Sequence, residues 1–229
     1  MLSRRILLLA APTTLLSAKS GIRVGASTDS LAVDAKNLES LVAAVGQLKQ
    51  LGYEGFETGY QNLREQFDRP DAAYERLHKT GMRLLGIRVE LKNYDPQTAI
   101  APWTLIQKVA DAAKALDAEH LILGGESTVH PLALRAKADA LTRAAKYCKG
   151  LGVTVAYEGP QAQEVAGQAD SSVHFVLSAP YTFADWRRVD AVRVGSEMPK
   201  PPSSWKGWVI ADQANLAEAR TAIRKAFGV

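Results

Sequence analysis

From residue 22 to residue 158 the chain alternates short β-branched runs with longer amphipathic stretches, in units of similar length. Ile22–Ser27, Tyr53–Glu57, Met82–Arg88, His120–Glu126 and Val153–Glu158 read as strands. Asn37–Leu51, Asp71–Lys79, Pro102–Leu116 and Leu132–Leu151 read as helices. In the first of these, Leu38, Leu41, Val42, Val45 and Leu48 recur at helical spacing, and Gly52 stands where a helix C-cap is wanted. Strand–helix alternation with tight connections predicts a parallel sheet. Repeated right-handed crossovers permit a doubly wound sheet or a closed barrel. The even unit length favours the barrel, as does the lack of a Gly-rich dinucleotide fingerprint after the first strand.

The last third is less regular. Val173–Leu177, Ala191–Val194 and Trp208–Ala211 read as strands six to eight, Thr182–Arg188 as one short helix, and Asn215–Phe227 as a closing helix. Residues 199–204 are a Pro- and Ser-rich loop, and the connection from the seventh strand to the eighth is too short for a full helix. The expected architecture is therefore an α/β fold, a (β/α)8 barrel with trimmed helices in its C-terminal third.

Several of these strands end in an acid: Glu57, Glu126, Glu158 and Asp212. Carboxylates at the C-terminal tips of buried strands stand where α/β proteins place their chemistry. Glu158 is the best placed, between the β-branched run Val153–Tyr157 and the breaker Gly159-Pro160. The net charge of +4 includes no dense basic run with interleaved aromatics, so nucleic acid is not an expected partner. The single Cys148 excludes an internal disulfide and a cysteine metal cluster, and its place in a helical pattern marks a structural thiol. Of the histidines, His130 follows the fourth strand within reach of the mouth, while His78 reads as a surface residue and His120 and His174 sit early in strands. Trp205 and Trp208 either pack on the barrel or stack on a ligand.

The segment Leu48-Lys49-Gln50-Leu51-Gly52-Tyr53-Glu54-Gly55-Phe56-Glu57 resembles the second-strand entry of the sugar phosphate isomerase/epimerase family, the xylose-isomerase-like TIM barrels. Ala113–Ile122 resembles the family's fourth unit and Ala144–Glu158 its fifth. The likeness implies a TIM barrel over residues 19–229 and a small sugar or polyol as partner. It also implies one divalent ion held by Glu, Asp, His and Glu of the last four strands. Here Glu158 matches the first ligand, Ser178-Ala179-Pro180-Tyr181 replaces Asp-x-x-His, Arg193 replaces the histidine, and Asp212 shortens the final glutamate. Ser is a poor ligand and Arg cannot coordinate, so no metal ligand set is expected beyond weak Mn²⁺ or Mg²⁺ binding through Glu158 and Asp212. By the same resemblance, Glu158 and Asp212 are the candidate acid/base pair of an isomerase or epimerase. Glu57, Arg88, Glu126 and Arg193 are candidates to bind substrate oxygens, although both arginines can equally form structural ion pairs with these acids. The alternative is a non-catalytic exported barrel that binds a carbohydrate-like ligand.

Residues 1–18 read as an export signal. Ser3-Arg4-Arg5 precedes the apolar run Ile6–Ala11, too short for a membrane span, and Leu15-Leu16-Ser17-Ala18 offers small residues to a peptidase. The paired arginines resemble a twin-arginine signal, with an ordinary Sec signal or an uncleaved anchor as the alternatives; export by either signal implies a periplasmic or extracellular protein with no stable membrane span after processing. Mass spectrometry of the native protein should find a mature chain beginning near Lys19 outside the cytoplasm; an intact Met1 on a cytosolic protein would contradict this.

Overall fold

The computed structural model describes residues 21–91 and 103–229. The export signal and the start of the third helix at Pro102 lie outside the described residues. Eight parallel strands close into a barrel in chain order. They are β1 (Arg23–Ser27), β2 (Gly55–Gly59), β3 (Arg83–Leu91), β4 (His120–Gly125), β5 (Thr154–Glu158), β6 (Val173–Ser178), β7 (Val189–Val194) and β8 (Trp208–Ala211). β1 pairs with β8 through Arg23–Trp208 to Ala26–Ala211, which completes the closure. Helices α1 (Leu38–Gln50), α2 (Pro70–His78), α3 (Trp103–Ala115), α4 (Pro131–Lys149), α5 (Ala162–Ala166) and α6 (Leu216–Phe227) cover the outside. Among the described residues, no helix is long and apolar enough to cross a membrane.

Local chemistry sets these elements. Asn37 caps α1 by accepting from the Glu39 amide, and Pro70 and Pro131 open α2 and α4, where a missing N–H costs nothing. Gly52, Gly81 and Gly152 follow α1, α2 and α4 at φ 84, 71 and 75°, which a side chain resists; after α3 Asp117 accepts the same turn at φ 56°. Cys148 is fully buried in α4, and burial pushes its thiol up to about 12, as suits a structural group.

The C-terminal third departs from expectation in one place. Thr182–Arg188 forms no α-helix, only a single 3₁₀ turn at Trp186–Arg188. A segment so short does not nucleate a helix alone, and outside contacts hold it in another shape. Phe183 packs on Phe175 at 4.7 Å between ring centroids, and the Ala184 amide donates to Gln163 Oε1 at 2.8 Å. The Arg188 guanidinium donates to the carbonyls of Val173, Ala166 and Asp170. α5 is only five residues long, and no helix lies between β7 and β8 among the described residues.

Two β-bulges decide which side chains enter the barrel. Along β2–β3 the register runs Phe56–Leu84 and then Glu57–Gly86, so Leu85 is the extra residue. Along β6–β7 it runs Phe175–Val189 and then Val176–Ala191, so Asp190 is the extra residue. A bulge resets the in/out alternation of its strand. The interior apolar layer is Leu85, Ile122, Ala156, Val176, Ala191, Trp208 and Ile210. Gly25 and Gly55 stand beside Leu85, where any β-carbon would strike its side chain.

The N-terminal end of the barrel is plugged by polar groups. Asp190 Oδ2 accepts from His120 Nε2 at 2.9 Å and from His174 Nδ1 at 2.8 Å. The other His120 nitrogen faces the Leu85 carbonyl at 2.9 Å. Both of its neighbours only accept, so this ring is satisfied as an imidazolium. Glu119 sits beside it, accepting from the Trp208 indole at 3.1 Å and pairing with Arg83 at 3.4 Å and Arg23 at 3.7 Å. Burial alone would lower the pKa of His120, but Asp190, the Leu85 carbonyl and Glu119 outweigh it and raise it. Burial would likewise raise Asp190, but the two histidines hold it down at about 2.

These shifts fix the sign of a pH dependence. The raised pKa of His120 stabilises the fold below the unfolded value of 6.5, and that contribution is lost as pH rises through the folded value. The depressed pKa of Asp190 stabilises it above the unfolded value of 3.8, and that contribution is lost as pH falls towards 2. Melting temperature measured across pH should therefore be highest in the window between those unfolded values and decline on both sides. Asp190→Asn should cost about 2 kcal/mol within the window, and His120→Asn should flatten the alkaline limb; a wild-type curve flat through the alkaline limb would contradict the assignment.

Candidate functional site

The layer above the apolar interior, at the C-terminal ends of the strands, is polar. The bulge at Leu85 turns Gly86, Arg88 and Glu90 inward while Leu84, Ile87, Val89 and Leu91 join the outer core. The bulge at Asp190 does the same for Ala191 and Arg193 while Val192 and Val194 face the helices. Glu57 on β2, Glu158 at the end of β5 and Asp212 just past β8 complete the layer.

Arg193 is at its centre. Nε donates to Glu158 Oε1 at 2.6 Å and Nη2 to Glu158 Oε2 at 2.7 Å, a two-pronged pairing that uses both carboxylate oxygens. Nη1 lies 2.6 Å from Glu57 Oε1 and 3.6 Å from Asp212 Oδ2. The Nη1–Glu57 approach is close but poorly angled for a hydrogen bond, and Glu57 Oε2 is buried without a partner among the described residues. Arg193 is 6% exposed and Glu57 1%, so this pair is withdrawn from water, whereas Asp212 at 37% is open to it. Arg88 flanks the cluster, with Nη1 3.4 Å from Glu57 Oε1, Nε 3.3 Å from Glu90 Oε1, and Nη2 paired with Asp29.

Burial pushes the Glu57 carboxyl up, Glu158 and Asp212 add to the push, and Arg193 opposes it. The guanidinium would be lowered by burial, but Glu57 and Glu158 raise it further. Arg193 is therefore a permanent charge, and Glu57 is the carboxyl in the cluster that burial most favours as its neutral form.

Two clefts open on this layer. One of about 820 Å³ is lined by Glu90, Glu158, Gln161, Ser178, Tyr181 and Thr182 among others. The other, of about 370 Å³, is lined by Ser178, Pro180, Arg193, Ser196, Glu197 and Asp212 among others. Ser178 is the cross-strand neighbour of Arg193, and the Tyr181 hydroxyl donates to the Arg193 carbonyl at 3.4 Å.

Of the residues singled out from sequence, Glu57, Glu158, Arg193 and Asp212 are brought together and Arg88 joins them through Glu57. Glu126 is not. β4 ends at Gly125, and Glu126 falls on the exposed loop beyond, where its backbone carbonyl accepts from the buried Lys137 at 2.6 Å. His130 is an exposed cap of α4, accepting from the Leu132 amide at 3.2 Å. The tryptophans cannot stack on a ligand at the mouth. Trp208 is inside the barrel near its N-terminal end with Arg23 over its ring, and Trp205 is buried with its indole donating to the Val189 carbonyl at 2.7 Å. Glu90 and Asp29 were missed; Glu90 stands two residues after Arg88, a spacing that puts both on one face of a strand.

The donor set does not fit a divalent cation. A guanidinium occupies the space between the carboxylates and engages both oxygens of Glu158. No group of three or more His, Cys, Asp or Glu side chains among the described residues is arranged to hold a metal.

No family model matches the chain, and no curated protein is similar to it in sequence. Solved structures share its fold. A sugar phosphate isomerase/epimerase from Parabacteroides distasonis superposes with a TM-score of 0.66 at 13% identity, over 93% of this chain and 99% of its own. The IolI protein with a bound zinc atom gives 0.69 at 14%, over 90% and 100%. D-psicose 3-epimerase with D-tagatose, from Clostridium cellulolyticum, gives 0.65 at 13%, over 83% and 84%. The fold is that of the sugar isomerase and epimerase barrels.

Proposed function

We propose that the mouth of this barrel binds a small, neutral, polyhydroxylated molecule, a sugar or polyol, and that a metal site such as the one holding zinc in the IolI protein is degraded here. The observation that carries this reading is the Arg193 fork on Glu158. With the centre filled, what the clefts offer a ligand is hydrogen-bonding groups: Asp212, Glu90, Glu158, Ser178 and Tyr181. Carboxylate oxygens are strong acceptors for sugar hydroxyls. A phosphate would need an uncommitted cation, and the two guanidiniums of this layer already serve Asp29, Glu57, Glu90, Glu158 and Asp212. Solved barrels of this fold include an epimerase with a bound ketose, which agrees with a sugar-sized ligand. Export from the cytoplasm, read from Arg4-Arg5 and the short apolar run, belongs to the same proposal.

A second reading, isomerisation or epimerisation of that ligand, is favoured by Asp212. It is the carboxylate with the greatest exposure of the three and only a single 3.6 Å approach to Arg193, so it is free to take a proton from a carbon beside a carbonyl. Glu158 has both oxygens engaged by Arg193, and its part is to orient that guanidinium.

Ligand-observed NMR with neutral aldoses, ketoses and polyols beside their phosphate esters tests both readings. The expected result is saturation transfer to a neutral ligand, loss of it in Asp212→Ala, and at least roughly tenfold weaker binding of the phosphates, the equivalent of about 1.4 kcal/mol. Solvent deuterium entering the bound sugar would establish the catalytic reading. Preferential binding of phosphate esters would contradict the proposal.

A further inference from the structure

We infer that Arg193 is a built-in cation: its guanidinium does for Glu57, Glu158 and Asp212 what a bound ion would otherwise do, so that the polar layer is complete without one. The inference stands on the geometry of the cluster and not on the identity of any ligand. Three carboxylates reach one point from three separate parts of the barrel, β2, β5 and the end of β8. Such acids repel one another in a poorly solvated space and stay ionised only beside positive charge. Arg193 supplies it on three sides at once, with Nε and Nη2 on Glu158 and Nη1 between Glu57 and Asp212.

Two features show that this place is built for a guanidinium. The bulge at Asp190 turns β7 so that Arg193 points inward directly over Ala191, a small residue of the apolar layer. The cross-strand neighbour is Ser178, which adds no further charge beside the fork. A lysine would bring one point charge to a place that needs a planar fork. The account predicts that shortening Arg193 leaves an anionic space of matching shape, open to a soluble guanidinium or a divalent cation.

The test is thermal unfolding of the full chain, wild type and Arg193→Ala, with millimolar ethylguanidinium, ethylammonium or Mn²⁺. The wild type should be indifferent to all three. Arg193→Ala should melt about 10 °C lower, as expected for a buried charge that has lost its partner. It should recover with ethylguanidinium or Mn²⁺ and less with ethylammonium. The recovery should disappear in Glu158→Gln/Arg193→Ala, a dependence that loss of packing alone would not produce. If Arg193→Ala does not fold, Glu57→Gln/Arg193→Met, which removes buried charge of both signs, should fold better than Arg193→Met alone. Stoichiometric Mn²⁺ stabilisation of the wild type would overturn the inference. So would a folded Arg193→Ala that neither cation rescues, or a double variant no better than the single one. Loss of sugar binding with these outcomes intact would count against the proposed function alone.

Discussion

The pairing of Arg193 with Glu57 and Glu158 is the interaction on which the mouth of this barrel depends. Glu57 is almost wholly withdrawn from water, which pushes its carboxyl towards the neutral form, and a positive charge standing against it opposes that push. The guanidinium supplies that charge from the far side of the barrel. Strands that are distant in the chain, β2, β5 and β7, are thus joined across the lumen by one side chain. Arg88 repeats the device at the rim, linking Asp29 after β1 to Glu57 and Glu90. Charges alternate around the layer, with acids in excess, which leaves acceptor groups to face the clefts.

Backbone irregularity makes this arrangement possible. A strand of strict alternation with Leu85 inside would send Arg88 and Glu90 out among the helices, and one with Asp190 inside would do the same to Arg193. Each bulge adds one residue, so an apolar or polar group can face the lumen low on the strand and an arginine can face it higher up. The bulge at Asp190 serves both ends of the barrel. Asp190 itself binds the two histidines of the lower plug, and Arg193, three residues on, holds the acids of the mouth.

Much of the fold was legible because it rests on local rules: helical spacing in Leu38–Leu48, a C-cap at Gly52, and β-branched runs ending in acids. Glu158 and Asp212 were legible for the same reason, since strand tips in a barrel converge. Other features are set by contacts between distant segments. Glu57 reads as the last residue of a short strand, yet β2 continues to Gly59 and carries Glu57 into the interior. Arg88 was legible at the end of its expected strand, but its link to Glu90 depends on a bulge that turns both inward and that only the neighbouring strand reveals. The helical pattern at Thr182–Arg188 yields to the buried Phe183 and to the carbonyls that Arg188 caps. Glu126 falls on the exposed loop after β4, outside the Arg193 cluster, a placement set by how that loop leaves the barrel.

The most direct test of the central claim is NMR of the Arg193 guanidinium in the presence of Mn²⁺, a paramagnetic ion that broadens any nucleus it binds beside. The account predicts a slowly exchanging Arg193 Nε–H signal, assigned by its loss in Arg193→Lys, that keeps its linewidth when stoichiometric Mn²⁺ is added. Broadening of that signal at stoichiometric Mn²⁺, with the same broadening absent in Glu158→Ala, would place the metal among these carboxylates and contradict the account.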